Sequence, residues 1–111
     1  MDYINWNDFT KVDIRIGTII KAQPFPEARK PAYQLWVDLG GLGVKKTSAQ
    51  ITQNYQAEDL LNKQVICVCN FPPKQIGPFM SEILVTGFED ENGNIVLSTV
   101  DTQVPNGKKL H

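Results

Sequence analysis

Residues Asn70–Val85 read NFPPKQIGPFMSEILV. An apolar run, Gln64–Cys69 (QVICVC), leads into this stretch, and Ile83–Phe88 leads out of it. Pro72 and Pro73 bar a continuous central strand, because proline has no ladder donor. The stretch therefore connects two strands. A connection that only turned the chain would not need Phe71, Ile76, Phe79 and Met80. Four large apolar side chains in one connector mark it as a binding rim between two strands of a small barrel.

Upstream of the rim, Val65–Cys69 offers no polar face, which predicts a central strand. Ala57–Leu61 (AEDLL) suits a short helix stopped near Asn62. Val44–Ala49 is a third, more polar strand, preceded by the turn Gly40-Gly41-Leu42-Gly43. That glycine run is too short for a phosphate loop and lacks its Lys-Ser/Thr ending, so it is hairpin chemistry. In the second strand Tyr33, Leu35, Val37 and Leu39 share a face, with Gln34, Trp36 and Asp38 opposite. Ile14–Gln23 is a long strand, with Ile14, Ile16, Thr18, Ile20 and Ala22 on one face and Arg15, Gly17, Ile19, Lys21 and Gln23 on the other. Gly17 allows the bend that a closing barrel needs. Pro24-Phe25-Pro26 ends this strand. Downstream of the rim, Ile83–Phe88 is a fifth strand, Asn92-Gly93 is a type I′ turn signal, and Ile95–Leu97 returns as a short strand.

Two segments flank this unit. Residues 1–12 carry Tyr3, Ile4, Trp6, Phe9 and Val12 at partly helical spacing, with Asn5 or Asn7 as a cap. Residues 99–111 contain the turn Val104–Gly107, then Lys108, Lys109 and Leu110. The expected division is an arm over 1–12, a barrel over 13–98 and a C-terminal extension over 99–111. Tyr3, Ile4, Trp6, Phe9, Val104 and Leu110 are the expected contacts with a second copy. The fold expected is all-β, a five-stranded OB-fold Greek-key barrel with a short helix between strands three and four. Another all-β barrel or a sandwich would space its strands similarly.

The chain has 111 residues and a net charge of −1, enough for one modest core. Its charge is uneven: Lys21–Ser81 holds seven basic residues and four acids. The net charge of −1 disfavours a protein coated in nucleic acid, and the uneven distribution allows a local basic face. No apolar run approaches the ~20 residues of a membrane span, and MDYINWNDF is not a secretory leader, so the cytoplasm is the expected compartment. Cys67 and Cys69 sit two apart on one strand face, where a disulfide is poorly placed, and read as small buried hydrophobes. The sole histidine is His111. Neither a metal site nor a nucleophile–base pair is expected around it, and no cofactor. Asp38 and Glu82 are strand carboxylates without an acid/base partner, so the chain is not expected to be an enzyme.

DIRIGTI (Asp13–Ile19), SAQIT (Ser48–Thr52), Asn62–Val85 and VPNGKK (Val104–Lys109) resemble the tRNA-binding OB-domain family. This is the module appended to methionyl- and phenylalanyl-tRNA synthetases and also found as a free dimer. FPEAR (Phe25–Arg29) and NFPP (Asn70–Pro73) are similar to its CsaA-type, export-related chaperone branch. The resemblance runs from about Phe9 to Lys109. It implies an OB-fold, a homodimer and affinity for tRNA, and for that branch the binding of unfolded or preprotein segments. In this chain Glu82-Ile83-Leu84 follows Ser81 where synthetase-type modules tend to continue Gly-Met, and Lys74 is the only charge in the connector before Ser81. Fewer cations weaken counterion release, whereas Phe79 and Met80 add adaptable apolar surface.

Two ligand sets follow. A peptide-binding surface would use Phe71, Ile76, Phe79 and Met80. An RNA-binding surface would use Arg29, Lys30, Lys45, Lys46 and Lys74 for phosphates, and Asn70 and Ser81 for hydrogen bonds. The first makes the chain a homodimeric export chaperone with tRNA as a second ligand. The alternative is a tRNA-binding protein acting in trans without a chaperone role. A dimeric scaffold is the third reading.

Overall fold

The computed structural model describes all residues, Met1–His111. Strands β1 (Ile14–Pro24), β2 (Tyr33–Asp38), β3 (Val44–Ala49), β4 (Gln64–Val68) and β7 (Leu84–Val85) form one sheet in the order β3-β2-β1-β4-β7. All neighbours are antiparallel. The sheet curls into a nearly closed five-strand barrel, the expected OB-fold. Helix α2 (Ala57–Leu60) lies between β3 and β4. Two small hairpins are added: β5 (Lys74–Ile76) with β6 (Phe79–Ser81), and β8 (Gly87–Glu89) with β9 (Ile95–Leu97). Helix α1 (Trp6–Thr10) begins with a capping box, Asn5 accepting from the Asp8 N–H while the Asp8 carboxylate accepts from the Asn5 N–H. No helix is long and apolar enough to cross a membrane.

Curling depends on β1. Its first half, Ile14–Thr18, pairs with β4, and its second half, Thr18–Pro24, pairs with β2. A bulge between Ile19 and Lys21 leaves Ile20 outside the register, and a bulge bends and twists a strand. Gly17 lies where a Cβ would come within 2.6 Å of Val37 Cγ1 and 2.9 Å of the Asp38 carbonyl oxygen, so the adjoining strand crosses there because no side chain stands in the way. The bulge also switches the phase of the buried face, which is Gly17 and Ile19 before it and Ala22 after it. The interior takes Gly17 and Ile19, Ile19 being fully buried, while Ile20 is exposed. Ile14 and Ile16 instead face the C-terminal segment. Ile16 donates to the Lys108 carbonyl and accepts from the Gly107 N–H, and Leu110 donates to Ile14.

The core is Ile19, Leu35, Val37, Leu39, Leu60, Val65 and Cys67, all fully buried. Helix α2 supplies Leu60, and the chain leaves it through Asn62 at φ 69°. There Asn62 donates to the Ile19 carbonyl, and Ile19 to the Lys63 carbonyl. Tyr33 donates to the Tyr55 carbonyl, and the Tyr55 hydroxyl accepts from the Leu97 N–H, joining β2 to β9. Both cysteines are free. Burial, with a smaller push from Cys69, raises the Cys67 thiol to about 12, so it behaves as a hydrophobe.

Two expectations need correction. The fifth strand, read as Ile83–Phe88, is split: β7 pairs with β4, whereas β8 leaves to pair with β9. The turn between β8 and β9 is not type I′, which needs φ > 0 at both central residues. Only Gly93 has positive φ, 79°. Asp90 accepts from Gly93 through its carbonyl, and its carboxylate takes the N–H groups of Asn92 and Asn94, so a side chain does work assigned to backbone handedness.

Gly17→Ala is expected to lower stability by about 1–3 kcal/mol through overpacking, read as a lower urea midpoint at unchanged m-value. An unchanged midpoint would show that β1 and β2 do not cross closely at this point.

Candidate ligand-binding surface

The barrel closes where β3 meets the chain after β6. Glu82 donates its N–H to the Lys46 carbonyl (2.8 Å), and its carboxylate accepts the Lys46 N–H (3.0 Å). Buried Thr47 donates to the Ile83 carbonyl at 2.7 Å. The Ser81 hydroxyl lies 3.0 Å from Thr47 Oγ1 and accepts the Ser48 N–H at 3.3 Å. Ser81, expected to touch RNA, is thus buried and engaged in closing the barrel. Asn70 is also occupied: its Oδ1 accepts the Asp13 N–H (2.9 Å) and its Nδ2 donates to the Lys11 carbonyl (2.7 Å). Glu82 is a structural acceptor and not merely a solvated carboxylate.

The connector Asn70–Val85 contains a hairpin of β5 and β6. Lys74 pairs with Ser81, Gln75 with Met80 and Ile76 with Phe79. Paired residues share a face and alternate along a strand. The inner face therefore carries Lys74, Ile76, Phe79 and Ser81, and the outer face Gln75 and Met80. This splits the four expected peptide contacts. Phe71 is 56% exposed and lines a cavity, and Ile76 is half-buried at its edge. Met80 is exposed on the other face of the hairpin. Phe79 is only 7% exposed and is not a contact residue. It packs against Phe25 (ring centroids 5.4 Å apart) and edge-on to Trp36 (6.0 Å). With Ala32 these residues form a second small core beneath the hairpin.

Trp36 lies on the outer face of β2, opposite the interior residues Leu35 and Val37. Lys21 and Lys46 pair with it on the adjoining strands. The Lys21 ammonium sits 4.6 Å from the Trp36 ring and that of Lys46 5.1 Å from Phe79. Both are cation–π contacts. Lys45 is one residue from Lys46 and so falls on the opposite face, in register with Val37. The expected group Lys45, Lys46 and Lys74 is therefore not one surface.

Two cavities adjoin. One, of about 330 Å³, is lined by Phe71, Pro72, Lys74, Ile76, Glu82 and Leu84, among others. The other, of about 470 Å³, includes Glu27, Arg29, Lys30, Lys74, Gln75 and Ile76. They share Ser48, Gln50, Lys74 and Ile76. An apolar hollow and a hollow with three cations and one carboxylate thus meet at Lys74. Sequence reasoning found Arg29, Lys30, Phe71, Lys74 and Ile76 but missed Gln50 and Leu84, which come from either side of the barrel seam. It also missed the packing role of Phe25, which the sequence shows only as a residue between two prolines and within FPEAR.

The expected dimer contacts lie elsewhere. Tyr3, Ile4 and Trp6 are exposed on the arm, Leu110 is about half exposed, and Phe9 and Val104 are half-buried. Trp6, Phe9 and Leu110 line a groove of about 210 Å³, and Val104 and Leu110 an apolar cavity of about 410 Å³.

Residues 14–109 match the family model described as a putative tRNA binding domain. Among solved structures, the CsaA chaperone of Bacillus anthracis str. Ames is 46% identical, with a TM-score of 0.92 over 99% of this chain and 100% of that one. The CsaA chaperone protein of Picrophilus torridus is 48% identical, with a TM-score of 0.90 over 98% and 100%. The methionine–tRNA ligase of Methanocaldococcus jannaschii is 34% identical over 110 residues, which are 99% of this chain but only 17% of that enzyme.

Phe79→Ala is expected to lower stability by about 3 kcal/mol by emptying the second core. Met80→Ala should stay within about 0.5 kcal/mol. Urea unfolding of both variants checks the assignment, and equal losses would contradict it.

Proposed function

We propose, for a chain that belongs to the putative tRNA binding domain family and groups there with CsaA chaperones, that it is a homodimeric, export-related chaperone of the cytoplasm. It binds unfolded or preprotein segments and does no catalysis. The observation that carries this reading is the junction at Lys74 of the two cavities. Phe71, Ile76 and Leu84 take apolar side chains of a client. Arg29, Lys30 and Lys74 favour acidic residues next to them. Phe79 holds the hairpin in place, and Met80 meets only clients long enough to wrap over it.

The second reading, tRNA binding, is supported by the family itself and by the same three cations, which suit phosphates as well as carboxylates. Exposed Trp6, which lines a groove with Leu110, and exposed Tyr3 support a second copy as their cover.

Phe71→Ala is expected to weaken an unfolded client about tenfold, the worth of one half-exposed aromatic side chain. It should leave tRNA affinity unchanged. Lys30→Ala with Lys74→Ala should reduce the salt slope of tRNA binding by about 1.4, two single-strand phosphate contacts. Client binding indifferent to Phe71→Ala would overturn the chaperone surface, and an unchanged salt slope would remove the phosphate contacts. Trp6→Ala should yield monomer by light scattering, and a persistent dimer would refute the arm's part in it.

A further inference from the structure

The barrel seam is main-chain bonded only at one end. Glu82 and Ser81 cover the outward edge of β3 as far as Ser48. Beyond that point the edge continues to Gln50, which is exposed and whose N–H and C=O have no partner in the protein. Across the gap lies β7. Thr86 donates to the Ile66 carbonyl, so by the alternation of an antiparallel ladder Val85 turns its own N–H and C=O away from β4 and toward the gap. β7 is the edge of its sheet, with β4 as its only ladder neighbour. The end of β3, continued by Gln50, and the edge strand β7 thus face each other without pairing, and a cavity of about 480 Å³ lies between them, floored by Ile51 and Ile95. Unpaired edges are templates for strand addition, which folded proteins normally blunt.

We infer that this gap takes a client segment as an extended strand, its backbone hydrogen-bonded to Gln50 and Val85. The occupant is a stretch of unfolded chain with apolar residues at alternate positions. Donors and acceptors on both edges fit a backbone of any sequence, and the floor fits one apolar face of a strand. The gap continues into the apolar cavity above, with which it shares Ser48, Gln50 and Leu84. A strand leaving the gap therefore arrives at Phe71 and Lys74. This inference rests on the chaperone reading and adds how a client is held: by its backbone, with side chains selecting only weakly.

The test uses the full chain and two probes, reduced carboxymethylated α-lactalbumin and a short peptide of alternating leucine and glutamate. Amide hydrogen exchange by NMR should slow at Gln50 and Val85 by about tenfold when either probe saturates the protein. N-methylation of alternate peptide amides should weaken the peptide by about tenfold, the loss of one or two main-chain bonds. Probes that bind with protection confined to Phe71–Met80, and a methylated peptide that binds equally well, overturn the inference while leaving the chaperone reading intact. Failure of both probes to bind overturns the two together.

Discussion

Everything in the barrel depends on β1 serving two partners. One half holds β4 and the C-terminal segment, the other holds β2. A straight strand cannot do this and still curl the sheet, because its ladder directions would stay in one surface. Two local devices supply the bend: the missing side chain at Gly17 and the extra residue at the bulge. Once β1 has turned, β3 and β7 are brought round to face each other. Thr47, Ser81 and Glu82 then fix how far they approach.

The candidate ligand surface has its own foundation. The interior core ends at Leu35 and Val37, and on the outer face of the same strand Trp36 starts another, with Phe25 and Phe79. That placement seats a short hairpin on buried rings, Phe79 packing against Phe25 and Trp36. It also assigns the cations different tasks. Lys21 and Lys46 lie over rings and stiffen the base. Arg29, Lys30 and Lys74 border open space and are free to meet an anion.

Periodicity carried much of this. Strand β3 at Val44–Ala49, helix α2, and the division of β2 into a Leu35/Val37 face and a Trp36 face are all visible as alternation or composition. Failures came where one residue shifts a phase or where a partner is distant in sequence. Nothing in IGTIIKAQ announces that Ile20 is skipped, and the buried side of β1 changes phase at that bulge, from Ile19 to Ala22. Ser81 and Asn70 look like free polar groups until Thr47, Ser48, Lys11 and Asp13 are folded against them. Phe79 and Met80 are adjacent and equally apolar, yet their opposite fates follow from hairpin register, which depends on the turn through Gly77 at φ 53°.

Asn70 joins two regions that are otherwise separate. Its side chain clasps the backbone just after the arm helix at Lys11 and Asp13, while its own backbone leads directly into Phe71 and the rim. A single amide therefore acts as a thermodynamic coupler. Displacing the arm from its seat removes the Lys11 hydrogen bond from the root of the rim, and displacing the rim removes the same bond from the arm, while Asp13 stays anchored to the barrel through Cys69. Because free energies around such a cycle must close, the effect of the arm's packing on the affinity of any rim ligand would equal the effect of that ligand on the arm's packing.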